Sequence, residues 1–132
     1  MTIRVYTSGV FDLFHAGHLQ ALTRAKSLGD ELIVGVLSDE DAASYKRVPI
    51  IPYGERYAII ESLHCVDVVM PGPKFETPQF YLDHNIDLHC QGDQLQGFYE
   101  AAKSLGILKI IGRSEITDTS QIIDRVVQRA GQ

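Results

Sequence analysis

"IRVYTSGVFDLFHAGHLQALTRAKSLGDELIVGVLS" (residues 3–38) decides the fold. Residues 3–9, "IRVYTSG", read as a buried strand, and residues 31–38, "ELIVGVLS", as a second. Between them "HLQALTRAKSLG" (18–29) sets Leu19, Leu22, Ala25 and Leu28 at helical spacing, with Gly29 to stop the helix. A strand, a helix and a strand in this order imply parallel pairing through a right-handed crossover.

The alternation continues along the chain. "DEDAASYK" (39–46) opens acidic, as a helix start should, and "RVPIIP" breaks it. A helix over 53–64, a strand over 66–70, a helix near 77–85 and a strand near 86–91 follow. After the turn "GDQLQG" come a helix near 98–105, a strand over 107–111 and a last helix from about Asp118. The pattern predicts an α/β fold: a Rossmann-like, open, parallel five-stranded sheet with helices on both faces, in a single domain over residues 1–132. Such sheets bind ligands outside the carboxyl ends of their strands, where the strand order reverses. "GVFDLFHAGH" (9–18) sits at such an end.

Composition narrows the function. The 132 residues are 45% hydrophobic and 22% charged, enough for one core. A formal charge of −5 argues against a nucleic-acid coat or a membrane-surface role, both of which need a basic excess. No apolar run approaches the ~20 residues of a membrane span, and "MTIRVYTSG" is no signal peptide. Cys65 and Cys90 form neither a CxxC pair nor a metal spacing, so two free thiols in a reducing cytoplasm are expected.

Three readings compete for His15 and His18: a metal pair, two surface histidines, or a phosphate cradle. A zinc pair wants i, i+4 or longer spacing and a third Cys, Asp or Glu, and none is well placed. Residues three apart at a helix start face one side and can converge on one ligand. Gly17 removes a side chain where an anion would approach the backbone, and the helix start offers N–H groups and partial positive charge. The surrounding strand, glycines and helix favour the cradle.

"GVFDLFHAGH" resembles the GxFDxxHxGH signature of the cytidylyltransferases, within the wider HxGH nucleotidyltransferase superfamily. "YKRVPIIPYGERYAIIESLHCVDVVMP" is similar to the family's stretch with a phosphate-binding lysine and a Glu-Arg helix. "HNIDLHCQGD" looks like the strand before the base-binding loop, and "GRSEITDTSQII" stands where the family has RTxGISTT. The likeness spans almost the whole chain, nearest to the glycerol-3-phosphate and ethanolamine-phosphate cytidylyltransferases.

The resemblance implies attack by an acceptor phosphate on the α-phosphorus of CTP, expelling pyrophosphate. The nucleophile is already anionic, so catalysis reduces to alignment and charge stabilisation. It assigns His15, His18, Lys46 and Arg113 to catalysis, with Arg47 as neighbour of the lysine. It assigns Ser8, Gly9, Val10, Phe11, Gly17, Arg56, Gly92, Asp93, Gln94, Thr119 and Ser120 to the nucleotide. Asp12, Lys46 and Asp118 are expected at the acceptor. Asp12 either shapes the turn with Phe11 or faces a bound Mg²⁺; Arg56 contacts phosphates, braces the site or pairs within its helix. No protein-held metal is expected, and Mg²⁺ should arrive on the triphosphate. A homodimer is implied by the resemblance alone. His64, His84 and His89 lie outside any motif and read as surface or core histidines.

Two departures from the family pattern stand out. The base loop usually reads G-x-D, and here reads Gly92-Asp93-Gln94, so either Asp93 takes the role after a slip or Gln94 replaces the carboxylate. In the last motif Ile116, Thr117 and Asp118 stand at the glycine, isoleucine and first serine positions. Asp118 and Gln121 have the form of a capping box, which competes with a functional reading of Asp118. The expected activity is transfer of CMP to a small phosphorylated alcohol, polyol or amino alcohol. The rivals are an ATP-using adenylyltransferase and a catalytically impaired nucleotide binder.

Overall fold

The computed structural model describes residues 1–92, 99–112 and 118–132. Strands β1 (Arg4–Gly9), β2 (Glu31–Val36), β3 (Val68–Pro71), β4 (Leu88–Gly92) and β5 (Leu108–Ile111) form one sheet in the order β3-β2-β1-β4-β5, every neighbour parallel. Helices α1 (Ala16–Ser27), α2 (Asp39–Ala43), α3 (Tyr53–Glu61), α4 (Pro78–Asp83), α5 (Glu100–Leu105) and α6 (Thr119–Ala130) connect and follow the strands. This is the expected α/β Rossmann-like sheet.

Alternate side chains of each strand serve opposite faces, which is why both faces need helices. Val5, Leu32 and Val34 pack with Leu22 and Ala25 of α1 and Ile60 of α3. Tyr6 and Ile33 pack on the other face with Tyr81 of α4 and Ala102 of α5. Leu19, one of the four apolar positions expected on α1, is 45% exposed and outside this core. Gly29 follows the C-cap Leu28, and a Cβ there would lie 2.8 Å from the Ile3 carbonyl. The glycine therefore admits β1 as well as ending the helix. Cys65 and Cys90 are free thiols. Among the described residues no helix is long and apolar enough to cross a membrane.

Strand order reverses at β1. Pairing of β1 with β2 runs from Arg4 to Gly9, whereas pairing with β4 joins only Val5 to Leu88 and Tyr6 to His89. Beyond Tyr6 the two strands part, opening a crevice at their carboxyl ends. That crevice positions the site.

Candidate active site

From Gly9 the chain turns through residues 10–14 into α1. Phe11 (φ 56°) and Leu13 (φ 50°) adopt left-handed backbone, which costs a non-glycine residue about 1–3 kcal/mol and is typical of ligand sites. The Phe11 ring folds back over Gly9, where a Cβ would come within 2.9 Å of it. Asp12 anchors the turn: its two carboxylate oxygens accept the N–H groups of Ile50 and Ile51 at 2.9 Å each, and it is 6% exposed. This is the turn-shaping alternative expected of Asp12 beside Phe11, in place of a contact with the acceptor or a metal ion. Its lone pairs are turned inward to the 50–51 loop.

His15 is the N-cap of α1, so the helix begins two residues before the expected start. The Gly17 N–H donates to His15 Nδ1 at 3.0 Å, and the His15 N–H donates to His18 Nδ1 at 3.2 Å. These reciprocal bonds satisfy helix-start donors as a capping box does. They also set both tautomers. With each Nδ1 accepting, each neutral ring carries its proton on Nε2. His15 Nε2–H donates to Thr119 Oγ1 at 3.2 Å, and that hydroxyl donates to the Asp12 carbonyl at 3.2 Å. The rings stack with centroids 3.9 Å apart, and Phe14 stacks on the outer face of His18 at 5.3 Å.

Such packing favours neutral imidazoles. Burial, then the adjacent His15 and Lys46, push the His18 pKa down to about 3, against a small opposing pull from Asp12. Burial lowers His15 too, opposed by the carboxylate of Asp118. Lys46, just past α2, is solvent-exposed, and partial desolvation along its side chain, with Arg47 beside it, lowers its pKa. The structure thus brings His15 and His18 together, with Lys46 near enough for its charge to act on His18.

Arg56 is elsewhere. It is fully buried on α3, donating from Nε to the Ile51 carbonyl (2.9 Å), from one terminal nitrogen to the Val10 carbonyl (2.6 Å) and from the other to Asp39 Oδ1 (2.6 Å). This corrects the expected nucleotide contact: every guanidinium nitrogen is engaged by protein. Its acidic partner lies on α2, not within its own helix. Arg56 and Asp12 together clamp the turn to the 50–52 loop.

Two cavities open side by side and share Ser8. The smaller, about 260 Å³, is lined by Phe11, His15, Gly17, His18, Gly92, Asp118 and Thr119 among others. Gly17 lines it, but its N–H is already taken by His15. The larger, about 550 Å³, is lined by Ser8, Gly9, Tyr45, Lys74, Phe75, Glu76 and Tyr99. Asp118 caps α6 by accepting the Gln121 N–H at 2.8 Å, and it faces the histidine cavity. Ser120 is exposed and Val10 is buried against Leu37 and Ala42; neither lines a cavity. Arg113, Asp93 and Gln94, with Ile116 and Thr117, lie outside the described residues.

Two residues at the site were not among those expected. Gln91, at the end of β4, lines the histidine cavity and bonds to Ser8. Glu76 puts a carboxyl in the larger cavity, where burial raises its pKa to about 7. Gln91 stood in plain view immediately before the Gly92 motif; Glu76, in the loop "PGPKFE", carried no signal.

Residues 6–127 match the family model described as cytidylyltransferase-like. The chain is 35% identical over 124 residues to glycerol-3-phosphate cytidylyltransferase of Bacillus subtilis (strain 168), covering 93% of this chain and 96% of that one. It is 36% identical over 132 residues to ethanolamine-phosphate cytidylyltransferase of Dictyostelium discoideum, covering 95% of this chain and 37% of that one. It therefore spans little more than a third of that relative's length. A crystal structure titled as a lipopolysaccharide core biosynthesis protein from Thermoplasma volcanium GSS1 superimposes with a TM-score of 0.73 at 31% identity, over 89% of this chain and 100% of that one. The family-model match over residues 6–127 and the Bacillus subtilis relative show that the chain belongs to the cytidylyltransferase-like family.

Proposed function

We propose that this chain transfers CMP from CTP to the phosphate of a small phosphorylated alcohol, polyol or amino alcohol. An acceptor phosphate oxygen forms a bond to the α-phosphorus, the bond to the α–β bridging oxygen breaks, and its electron pair leaves with pyrophosphate. The observation that carries the reading is the tautomer lock: two stacked neutral imidazoles whose Nδ1 atoms are held by backbone N–H groups, leaving Nε2–H as the donor of each ring. Fixed donors of this kind stabilise charge that grows on transferring phosphoryl oxygens, without reorganisation during the reaction.

In this reading His15, His18, Lys46 and Arg113 act on the triphosphate. Ser8, Gly9, Phe11, Gly17, Gly92 and Thr119 contact the nucleotide, and Asp93 and Gln94 are assigned to its base; Ser120, exposed and outside the cavities, is not assigned to it. The larger cavity takes the acceptor, which meets the nucleotide at Ser8. Glu76, rather than Asp118, is the carboxylate we assign to the acceptor, because Asp118 lines the histidine cavity. Mg²⁺ fits as a nucleotide-borne ion: with Asp12 turned inward, Asp118 is the one acid among the described residues lining the histidine cavity. Bound there, it would neutralise triphosphate charge.

A cytoplasmic homodimer completes the reading. Its support is α6, which buries no residue and leaves Val126 and Val127 62% and 64% exposed; light scattering should return twice the chain mass.

The test is a matrix of CTP and ATP against glycerol-3-phosphate, ethanolamine phosphate and choline phosphate, read by pyrophosphate release and product mass. A CDP-linked product supports the reading. An AMP-linked product makes the chain an adenylyltransferase, and CTP binding without turnover across the panel makes it a binder.

A further inference from the structure

His89 was expected to be an unremarkable histidine. It is fully buried on β4, and both ring nitrogens have partners: Nδ1 at 2.6 Å from the Tyr81 hydroxyl and Nε2 at 2.9 Å from Gln91 Oε1. An amide oxygen only accepts, so His89 carries its proton on Nε2 and Tyr81 donates to Nδ1. The ring is boxed edge-on by Tyr6 and Tyr99, at 5.0 and 5.1 Å, with Tyr81 tilted at 5.7 Å, so it has little freedom to flip. Burial lowers its pKa to about 4, and the ring is neutral at physiological pH.

The bonds do not stop at the core. Gln91 Oε1 also accepts the Ser8 N–H at 3.1 Å, bridging β1 and β4 beyond the point where their pairing ends. The Thr7 and Ser8 hydroxyls reach the same oxygen at 3.4 and 3.3 Å, and with His89 as its shortest donor the carboxamide has one orientation. Its NH₂ group has a single long contact among the described residues, 3.5 Å to the Ser8 carbonyl, while the residue lines the histidine cavity.

We propose that His89 is a positioning residue: its Nε2–H, fixed by Tyr81, holds the Gln91 carboxamide so that the NH₂ donates to an oxygen of the nucleotide bound beside His15 and His18. The inference rests on that cavity being the nucleotide site. Without His89 the amide can rotate and present its oxygen to the anion, losing a donor and adding repulsion.

The test uses the whole chain, with CTP and ATP titrated separately by calorimetry. Three variants accompany it: Gln91→Glu keeps an accepting oxygen but replaces the NH₂ donor with a second, charged acceptor, His89→Phe keeps the ring but removes both bonds, and Tyr81→Phe frees the tautomer. We expect Gln91→Glu to weaken the triphosphate that binds by about tenfold or more and His89→Phe by about five- to tenfold. Tyr81→Phe should weaken it two- to threefold, and His89→Phe/Gln91→Glu should bind no worse than Gln91→Glu alone. In steady state the loss should fall on KM for the nucleotide, with kcat and the acceptor KM little changed. Tight binding by wild type with unaltered affinity in Gln91→Glu, whose half-buried site tolerates the change, overturns the proposal, as does a fall in melting temperature alone. Binding of neither triphosphate by wild type overturns the functional reading as well.

Discussion

His15 Nε2 lies 3.2 Å from the Oγ1 of Thr119, tying the cap of α1 to the first residue of α6, 104 positions later in the chain. The hydroxyl in turn donates a hydrogen bond to the Asp12 carbonyl, so ring, hydroxyl and turn are held in one line. A triphosphate entering this cavity must share or displace the Thr119 bond. Thr119→Val keeps the shape and removes the hydroxyl. We expect turnover to fall about tenfold while Thr119→Ser stays near wild type, read by pyrophosphate release at saturating CTP; equal activity in both variants would show that the hydroxyl is idle.

His15 has two jobs that one substitution can separate. Its Nδ1 caps the helix and its Nε2–H faces the cavity. Asparagine is among the best N-caps, whereas alanine costs about 0.5–2 kcal/mol at such a position. His15→Asn should therefore melt near wild type and lose about 10²-fold in turnover, while His15→Ala loses both. His18→Ala should likewise lose about 10²-fold. Because the His18 pKa is depressed to about 3, it stays neutral through the working range. The activity profile should show no limb from His18 above pH 5. Near-normal kinetics in His15→Asn would remove the donor role.

Sheet and helices were legible because burial on both sheet faces writes continuous apolar strands between amphipathic helices. The start of α1 was read late because His15 caps through a ring nitrogen, and histidine is not among the residues that mark a helix start. For Asp12 and Arg56 the bracing alternative, not the ligand contact, matches the geometry, and for a shared reason. Asp12 accepts from Ile50 and Ile51 some forty residues away, and Arg56 donates to Ile51, Val10 and Asp39, relationships that exist only once the chain has folded. Gln91 and His89 sit two apart on one strand face, and Tyr81 reaches them from a helix. The residue types at the cradle carried their chemistry in their order; the bracing residues carried theirs in three dimensions.

Arg56 gives the sharpest stability test. Its fork reaches two carbonyls and one carboxylate from a site with no solvent. Lysine keeps the charge but offers one ammonium, leaving buried carbonyls unpaired. Arg56→Lys should cost about 3 kcal/mol in urea unfolding, from lost bonds to buried groups. The nucleotide KM should change less than the midpoint, since Arg56 reaches the site only through the turn. A large KM effect with full stability would return Arg56 to the nucleotide.

Glu76 tests how the acceptor is chosen. Its carboxyl acts on Tyr6, Tyr45, Tyr81 and Tyr99, helping to raise each phenol, so tyrosines ring it; Tyr45, Phe75 and Tyr99 share its cavity wall. Lys74, with its ammonium 5.5 Å over the Phe75 ring, and Glu100 also line that wall, so Glu76 is one of two carboxyls on a surface that carries three aromatic rings. Such a surface favours an ammonium group over a neutral hydroxyl. Burial holds the Glu76 pKa at about 7, so its charge develops between pH 6 and pH 8. The ratio of kcat/KM for ethanolamine phosphate over glycerol-3-phosphate should therefore climb across that interval, the shared phosphate titration cancelling in the ratio. Glu76→Gln should flatten the climb and lower the ratio at pH 8 by about tenfold, the worth of one charge-assisted contact. Stability should move the opposite way. A carboxyl whose folded pKa lies above its ordinary value favours the protonated folded state, so the wild type loses stability as pH rises from about 4.5 toward 7, and Glu76→Gln removes that loss. A ratio flat with pH in the wild type, alongside the expected gain in stability for Glu76→Gln, would leave Glu76 buried for some reason other than acceptor choice.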